Sequence, residues 1–185
     1  LPVWQQWYQE NRDKGIEIIS VAIDAQGDDK ILPYVQRAKT EFPTVKDEEN
    51  LLGQLYGFKA VPNGFLIDER GVLQYKKLGG FDIRRNEFLA VVDQWADATG
   101  QLLSDATDPD LSPDHAKAHE LFRQGTALQK QGQHAEAMAL WRQGAELEPD
   151  NWIIRKQIWA AEHPDKFYGA EVDFDWQKEQ VSRGL

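Results

Sequence analysis

Few side chains in this 185-residue sequence could do chemistry, and those that could are scattered. Cysteine is absent, so these residues can neither form a disulfide nor offer a thiolate. His115 and His119 lie four apart, which puts both imidazoles on one face of a helix. Metal sites use that spacing but need further ligands. Glu120 falls on another face and no second cluster stands near, so the pair reads as a solvated helix face and no metal is expected. Asp68-Glu69 belongs to a turn, Gly79-Gly80 precedes no Lys-Ser or Lys-Thr, and no serine-hydrolase elbow is present. Asp24 opens a polar loop and reads first as a carboxylate capping the helix after it. The remaining candidate is backbone, at Val61-Pro62 before the apolar run Phe65-Leu66-Ile67. Proline cannot donate to a ladder, so Pro62 either starts a strand or only ends a loop. In the first case, unpaired backbone beside it can take an extended peptide by strand addition.

The elements around these residues follow from periodicity. Trp4, Trp7 and Tyr8 sit at helical spacing, and Asn11 to Gly15 closes that helix. Ile16 to Ile23 is mostly apolar and β-branched, the pattern of a central parallel strand buried on both faces. Asp28 or Asp29 is placed to cap a helix carrying Ile31, Leu32, Val35 and Ala38, with Pro33 near its first turn. Phe42 to Val45 reads as a short strand. Leu51, Leu52, Leu55 and Tyr56 repeat helically until Gly57. Asp68-Glu69-Arg70-Gly71 turns the chain into a returning strand over Val72 to Leu78, and Phe88 to Trp95 supplies a last helix. Helix, strand, helix, strand, helix, strand, strand, helix implies an α/β sandwich with a mixed sheet.

Composition removes several functions. Hydrophobic residues make up 41%, enough for a packed core. A net charge of -10 disfavours nucleic acid, whose backbone demands clustered Lys and Arg. No apolar run reaches the roughly 20 residues of a membrane helix. The opening Leu1-Pro2-Val3-Trp4 has no charged leader and starts at helical spacing, so the sequence reads as the downstream part of a longer protein.

This order and these residues resemble the thioredoxin-like superfamily, in its redoxin and membrane-anchored thiol-disulfide reductase branch. Ile18 to Asp24, Phe42-Pro43-Thr44-Val45 with Asp47, and Leu55-Tyr56-Gly57-Phe58 carry the likeness. Val61-Pro62 with Phe65-Leu66-Ile67-Asp68 and Gly71 matches the family's cis-proline strand and hairpin. The resemblance implies a Cys-x-x-Cys just upstream of Leu1, whose first thiolate, favoured at a helix N-terminus, attacks a disulfide that the second cysteine resolves. It makes Val61 and Pro62 substrate-binding and Asp24 a proton relay. It calls for no cofactor, and it points to the bacterial periplasm or cell envelope. Asn63-Gly64 departs from the small hydroxyl pair more usual after that proline.

Leu103 to Asp114 is polar and proline-marked, a boundary that gives a thioredoxin-like domain over 1–102, a linker over 103–114, an all-α domain over 115–162 and an aromatic tail over 163–185. Leu121, Gly125, Leu128, Ala137, Trp141 and Pro149 fall at positions that resemble one tetratricopeptide repeat over Ala118 to Asn151. Gln124 and Gly144 depart from it. A third helix from Trp152 to Glu162 could cap the pair, since one repeat cannot bury its own face. Phe167, Tyr168, Phe174 and Trp176 show neither helical nor strand period, and either pack or dock a partner. Three functions follow from the resemblance: a thiol-disulfide oxidoreductase, a redox-inactive scaffold mediating protein–protein contacts, or a peroxidase-type redoxin. The resemblance implies a protein substrate or partner at the proline loop, with the helical repeat and tail as further contact surfaces.

Overall fold

The computed structural model describes residues 1–98, 112–169 and 171–183. Helix α1 (Pro2–Asn11) starts on a proline, whose missing N–H costs nothing there, and buries Trp7. The Trp7 indole donates to Asp93 at 2.7 Å. Strand β1 (Ser20–Ala22) pairs in parallel with β2 (Thr44–Lys46) across helix α2 (Asp28–Ala38). The Ser20 and Thr44 hydroxyls meet at 2.6 Å. Helix α3 (Leu51–Tyr56) is started by the Asp47 carboxylate, which accepts from the Leu51 and Leu52 amides, and is closed by Gly57 at φ 70°. Strands β3 (Gly64–Ile67) and β4 (Leu73–Lys77) form an antiparallel hairpin. Asp68 accepts the Arg70 and Val72 amides in its turn. Helix α4 (Asn86–Ala98) covers the hairpin, and Trp7, Ile16, Phe81, Ile83, Phe88 and Val92 make one core.

Three expectations need correction. The single mixed sheet becomes two separate two-stranded sheets among the described residues, because no ladder joins β1 or β2 to the hairpin. The strand expected over Ile16 to Ile23 pairs only over Ser20–Ala22, and it is not buried on both faces. Ile16 enters the core, but Ile19 and Val21 remain 64% and 38% exposed. Pro33 sits inside α2 rather than near its first turn, and Gly27, not an aspartate, is the N-cap residue.

The expected linker falls mostly on residues outside the description. Helix α5 (Pro113–Lys130) begins after Ser112, whose hydroxyl accepts from the His115 amide. Helix α6 (His134–Leu147) runs back antiparallel. Gly125 faces the Trp141 ring, where a Cβ would come within 2.5 Å, and Gly144 lies against the Ala118 carbonyl. Those two glycines let the helices close. Trp141, fully buried, fills the space and donates to the Phe122 carbonyl at 3.1 Å. Helix α7 (Trp152–Glu162) is capped by Asn151, and its Ile154 and Ile158 join Phe122 and Trp141 in a second core. Ala25, from the loop after β1, belongs to that core too.

The tail is helical where no period was visible: α8 (Pro164–Phe167) and α9 (Phe174–Ser182), the latter capped by Asp173. Trp176 packs edge-on against Trp159 at 5.8 Å and against Phe167 at 6.3 Å.

Candidate substrate cleft and buried histidine cluster

Val61 and Asp24 line one cleft. It has a volume of about 590 Å³ and lies between the loops after β1 and α3 and helices α7 to α9. Its walls are mostly apolar, with Ile23, Tyr34, Trp152, Trp159 and Phe174 among them. That size and lining suit an organic ligand or a short apolar stretch of polypeptide. Val61 is 52% exposed at the rim and Phe174 is 63% exposed.

The Val61-Pro62 peptide bond is cis. Asn63 holds the loop from both sides: its amide donates to the Ala60 carbonyl at 2.9 Å and its carbonyl accepts from Gly79 at 2.7 Å. The Pro62 carbonyl is already taken by the Phe81 amide at 3.1 Å. Gly64 explains the departure from a hydroxyl pair, because a Cβ there would come within 2.0 Å of the Phe81 ring. Only glycine fits against that core aromatic.

Asp24 is no helix cap. One of its oxygens accepts from the Gln26 amide at 2.9 Å, and the Tyr168 hydroxyl reaches both, at 3.0 and 3.1 Å. Burial raises the Asp24 carboxyl above its usual range, against the lowering pull of the Gln26 and Tyr168 hydrogen bonds and Lys30. Tyr168 is raised in turn, by burial first and then by the Asp24 charge. Lys156, also in the cleft, is lowered by desolvation. The site therefore holds a carboxyl that protonates more readily than usual, beside a phenol that stays neutral.

The helices are tied to this region by several bonds. Ala25 donates to Gln157 at 3.0 Å, Tyr34 to the Phe167 carbonyl at 2.7 Å, and Ile153 to the Lys59 carbonyl at 3.2 Å. The Lys130 ammonium pairs with Glu48 at 2.5 Å.

His115 and His119 are not on a solvated face. They are 0% and 2% exposed, turned inward with Glu148, which is 3% exposed. Glu148 accepts from Asn151 and pairs with Lys59. Burial depresses His119 to about 4, and the neighbouring His115 adds to this. Position 148 lies 33 residues from His115, which hides the grouping from any local motif. Tyr168 and Lys156 were likewise missed, because a lone tyrosine in an aromatic tail or a lone lysine in a helix carries no spacing signal.

Residues 1–76 match the AhpC/TSA family. The matching segment includes Asp24, Val61 and Pro62 and ends before α5. Sporulation thiol-disulfide oxidoreductase A of Bacillus subtilis (strain 168) is 25% identical over 81 residues, 43% of this chain and 49% of that protein. The chain thus spans about half the length of the curated relative it matches. No solved structure matches it at a significant level. Among the described residues, no helix is long and apolar enough to cross a membrane.

Proposed function

We propose that this chain is the polypeptide-binding part of a thiol-disulfide oxidoreductase of thioredoxin-like fold, its cysteine pair carried by residues preceding Leu1. The observation that carries the reading is the sharing of one cleft by Val61 and Asp24 within the redoxin-matching segment. In this reading Val61 receives the substrate chain at the cleft rim, and Pro62, whose carbonyl the Phe81 amide already holds, fixes the loop behind it. Asp24, whose carboxyl burial makes easier to protonate, relays the proton that a departing thiolate takes up. Helices α5 to α7 act as a single tetratricopeptide-type repeat with its cap, and α8 and α9 form the far wall of the cleft. No cofactor takes part, and the protein works in the periplasm or cell envelope.

The test uses the full-length protein to reduce a disulfide-bonded polypeptide with a small dithiol as electron source. Val61→Asp should lower kcat/KM about tenfold or more while leaving the melting temperature near that of the wild type. Asp24→Asn should flatten the pH–rate profile on its acid side. A full-length protein without a cysteine before Leu1, or a Val61→Asp enzyme equal to the wild type, removes the proposal. A lone cysteine there would favour the peroxidase-type redoxin. The absence of any cysteine in the present sequence favours the scaffold as the second reading.

A further inference from the structure

His115 and His119 stand one turn apart on the inward face of α5, and Glu148, just past the end of α6, brings its carboxylate to the same point. One donor atom from each lies within 4.8 Å of the other two. His115 Nδ1 is 2.7 Å from Glu148 Oε1, and the two imidazole rings are 4.3 Å apart. All three side chains are almost wholly buried. No side chain hydrogen-bonds either ring nitrogen of His119, whose nearest polar neighbour is the Asn50 backbone, and neither polar atom of the Asn50 side chain has a hydrogen-bond partner. Asn50 is fully buried, its backbone lies beside His119, and its amide lies against Gly53, whose carbonyl is 3.3 Å from His115 Nε2. Buried polar groups are bonded in the great majority of cases, so a wholly unpartnered amide beside an imidazole that meets no side-chain partner implies a missing partner.

We propose that His115, His119 and Glu148 bind a divalent transition-metal ion of the zinc type, which clamps α5 to the end of α6. Two imidazoles and one carboxylate are a donor set this ion class favours over Mg2+ or Ca2+, which take oxygen ligands. Donors about 3–3.5 Å apart surround a four-coordinate ion, so the widest separation, up to 4.8 Å, closes by about 1.3–1.8 Å while the 2.7 Å His115–Glu148 contact opens. Asn50, at the edge of the cluster, is the neutral oxygen donor available for a fourth position. One cation already competes there. Lys59 Nζ lies 3.0 Å from Glu148 Oε1 and 3.3 Å from Asp150 Oδ2, so metal entry hands it over to Asp150. The ion is buried and has no access for substrate, so its role is structural.

The experiment is a titration of the untagged chain with Zn2+ and with Co2+. At metal a hundredfold above Kd, the melting temperature should rise by about 5–10 °C. Co2+ should show the visible d–d bands of a four-coordinate nitrogen–oxygen site. His119→Leu removes a buried imidazole that no side chain hydrogen-bonds, so it should melt no lower than the metal-free wild type while losing both responses. Lys59→Gln removes the competing ammonium and should bind Zn2+ at least threefold tighter, a gain that stands even if His119→Leu fails to fold. A wild-type melting curve indifferent to both ions, a response that survives in folded His119→Leu, or Lys59→Gln that binds no tighter would each overturn the proposal.

Discussion

Gly64→Ala probes how the proline loop is held. The added Cβ would meet Phe81 Cδ1 at 2.0 Å and Cε1 at 2.1 Å, far inside van der Waals contact. Neither side can give way easily. Gly64 is fixed by its pairing with Lys77 in the hairpin. Phe81 is 4% exposed and packed on Trp4, Tyr75 and Phe88 at centroid distances of 5.7, 6.2 and 5.4 Å. Its amide also holds the Pro62 carbonyl, so a displaced ring disturbs the loop directly. Overpacking a core costs about 1–3 kcal/mol, and the fixed strand puts this case near ~3. For a chain of this size that lowers the melting temperature by about 6–12 °C. Phe81→Leu alone should cost about 1–2 kcal/mol through lost contact. Combined with Gly64→Ala, however, it makes room for the methyl, so the double variant should be more stable than the sum of the singles by about 1–2 kcal/mol. Denaturant unfolding of the four proteins measures that coupling. A Gly64→Ala cost below about 0.5 kcal/mol, or strict additivity, would refute the steric argument.

Other perturbations follow from the same geometry. Asn63→Ala deletes the bonds to Ala60 and Gly79 and should cost about 1–3 kcal/mol in denaturant unfolding, since a part-buried amide is left unpaired. Trp141→Ala should cost about 3–5 kcal/mol in the same assay, whereas a cost under ~1 would mean that the α5–α6 pair is not closed around it. For Asp24 the folded pKa lies above the unfolded value of 3.8, so the folded state binds the proton more tightly. Stability is then greatest below that value and falls as pH rises through the raised folded pKa. Asp24→Asn should match the wild type near pH 3 and exceed it at neutral pH, and paired melting curves across that range check the sign.

The order of elements was legible because each carries its own period or punctuation. Leu51, Leu52, Leu55 and Tyr56 stop at Gly57, and Asp68 to Gly71 can only turn. The capped helix α9 was legible in principle, since Asp173 stands three residues before Trp176, but the aromatics around it show no helical period. Burial was harder. Ile16 to Ile23 has the composition of a doubly covered strand, yet composition cannot say which faces are covered, and Ile19 and Val21 are left open. The loop residues Val61, Pro62 and Asp24 stand out in the sequence only because their segment resembles a family. Tyr168, which completes the carboxyl–phenol pair, is 144 residues from Asp24 and no local pattern joins them. Glu148 escaped for the same reason, and without it the two histidines read as surface.

The reading of Val61 as a substrate contact is tested most directly by placing a photo-crosslinking side chain at position 61 of the full-length protein, with position 19 as the control. Both sites are exposed, at 52% and 64%, but only Val61 lines the cleft. Illumination with a disulfide-bonded polypeptide should label it from position 61 and not from position 19. Equal labelling from both positions, or none from 61, would contradict the assignment of the cleft as the substrate site.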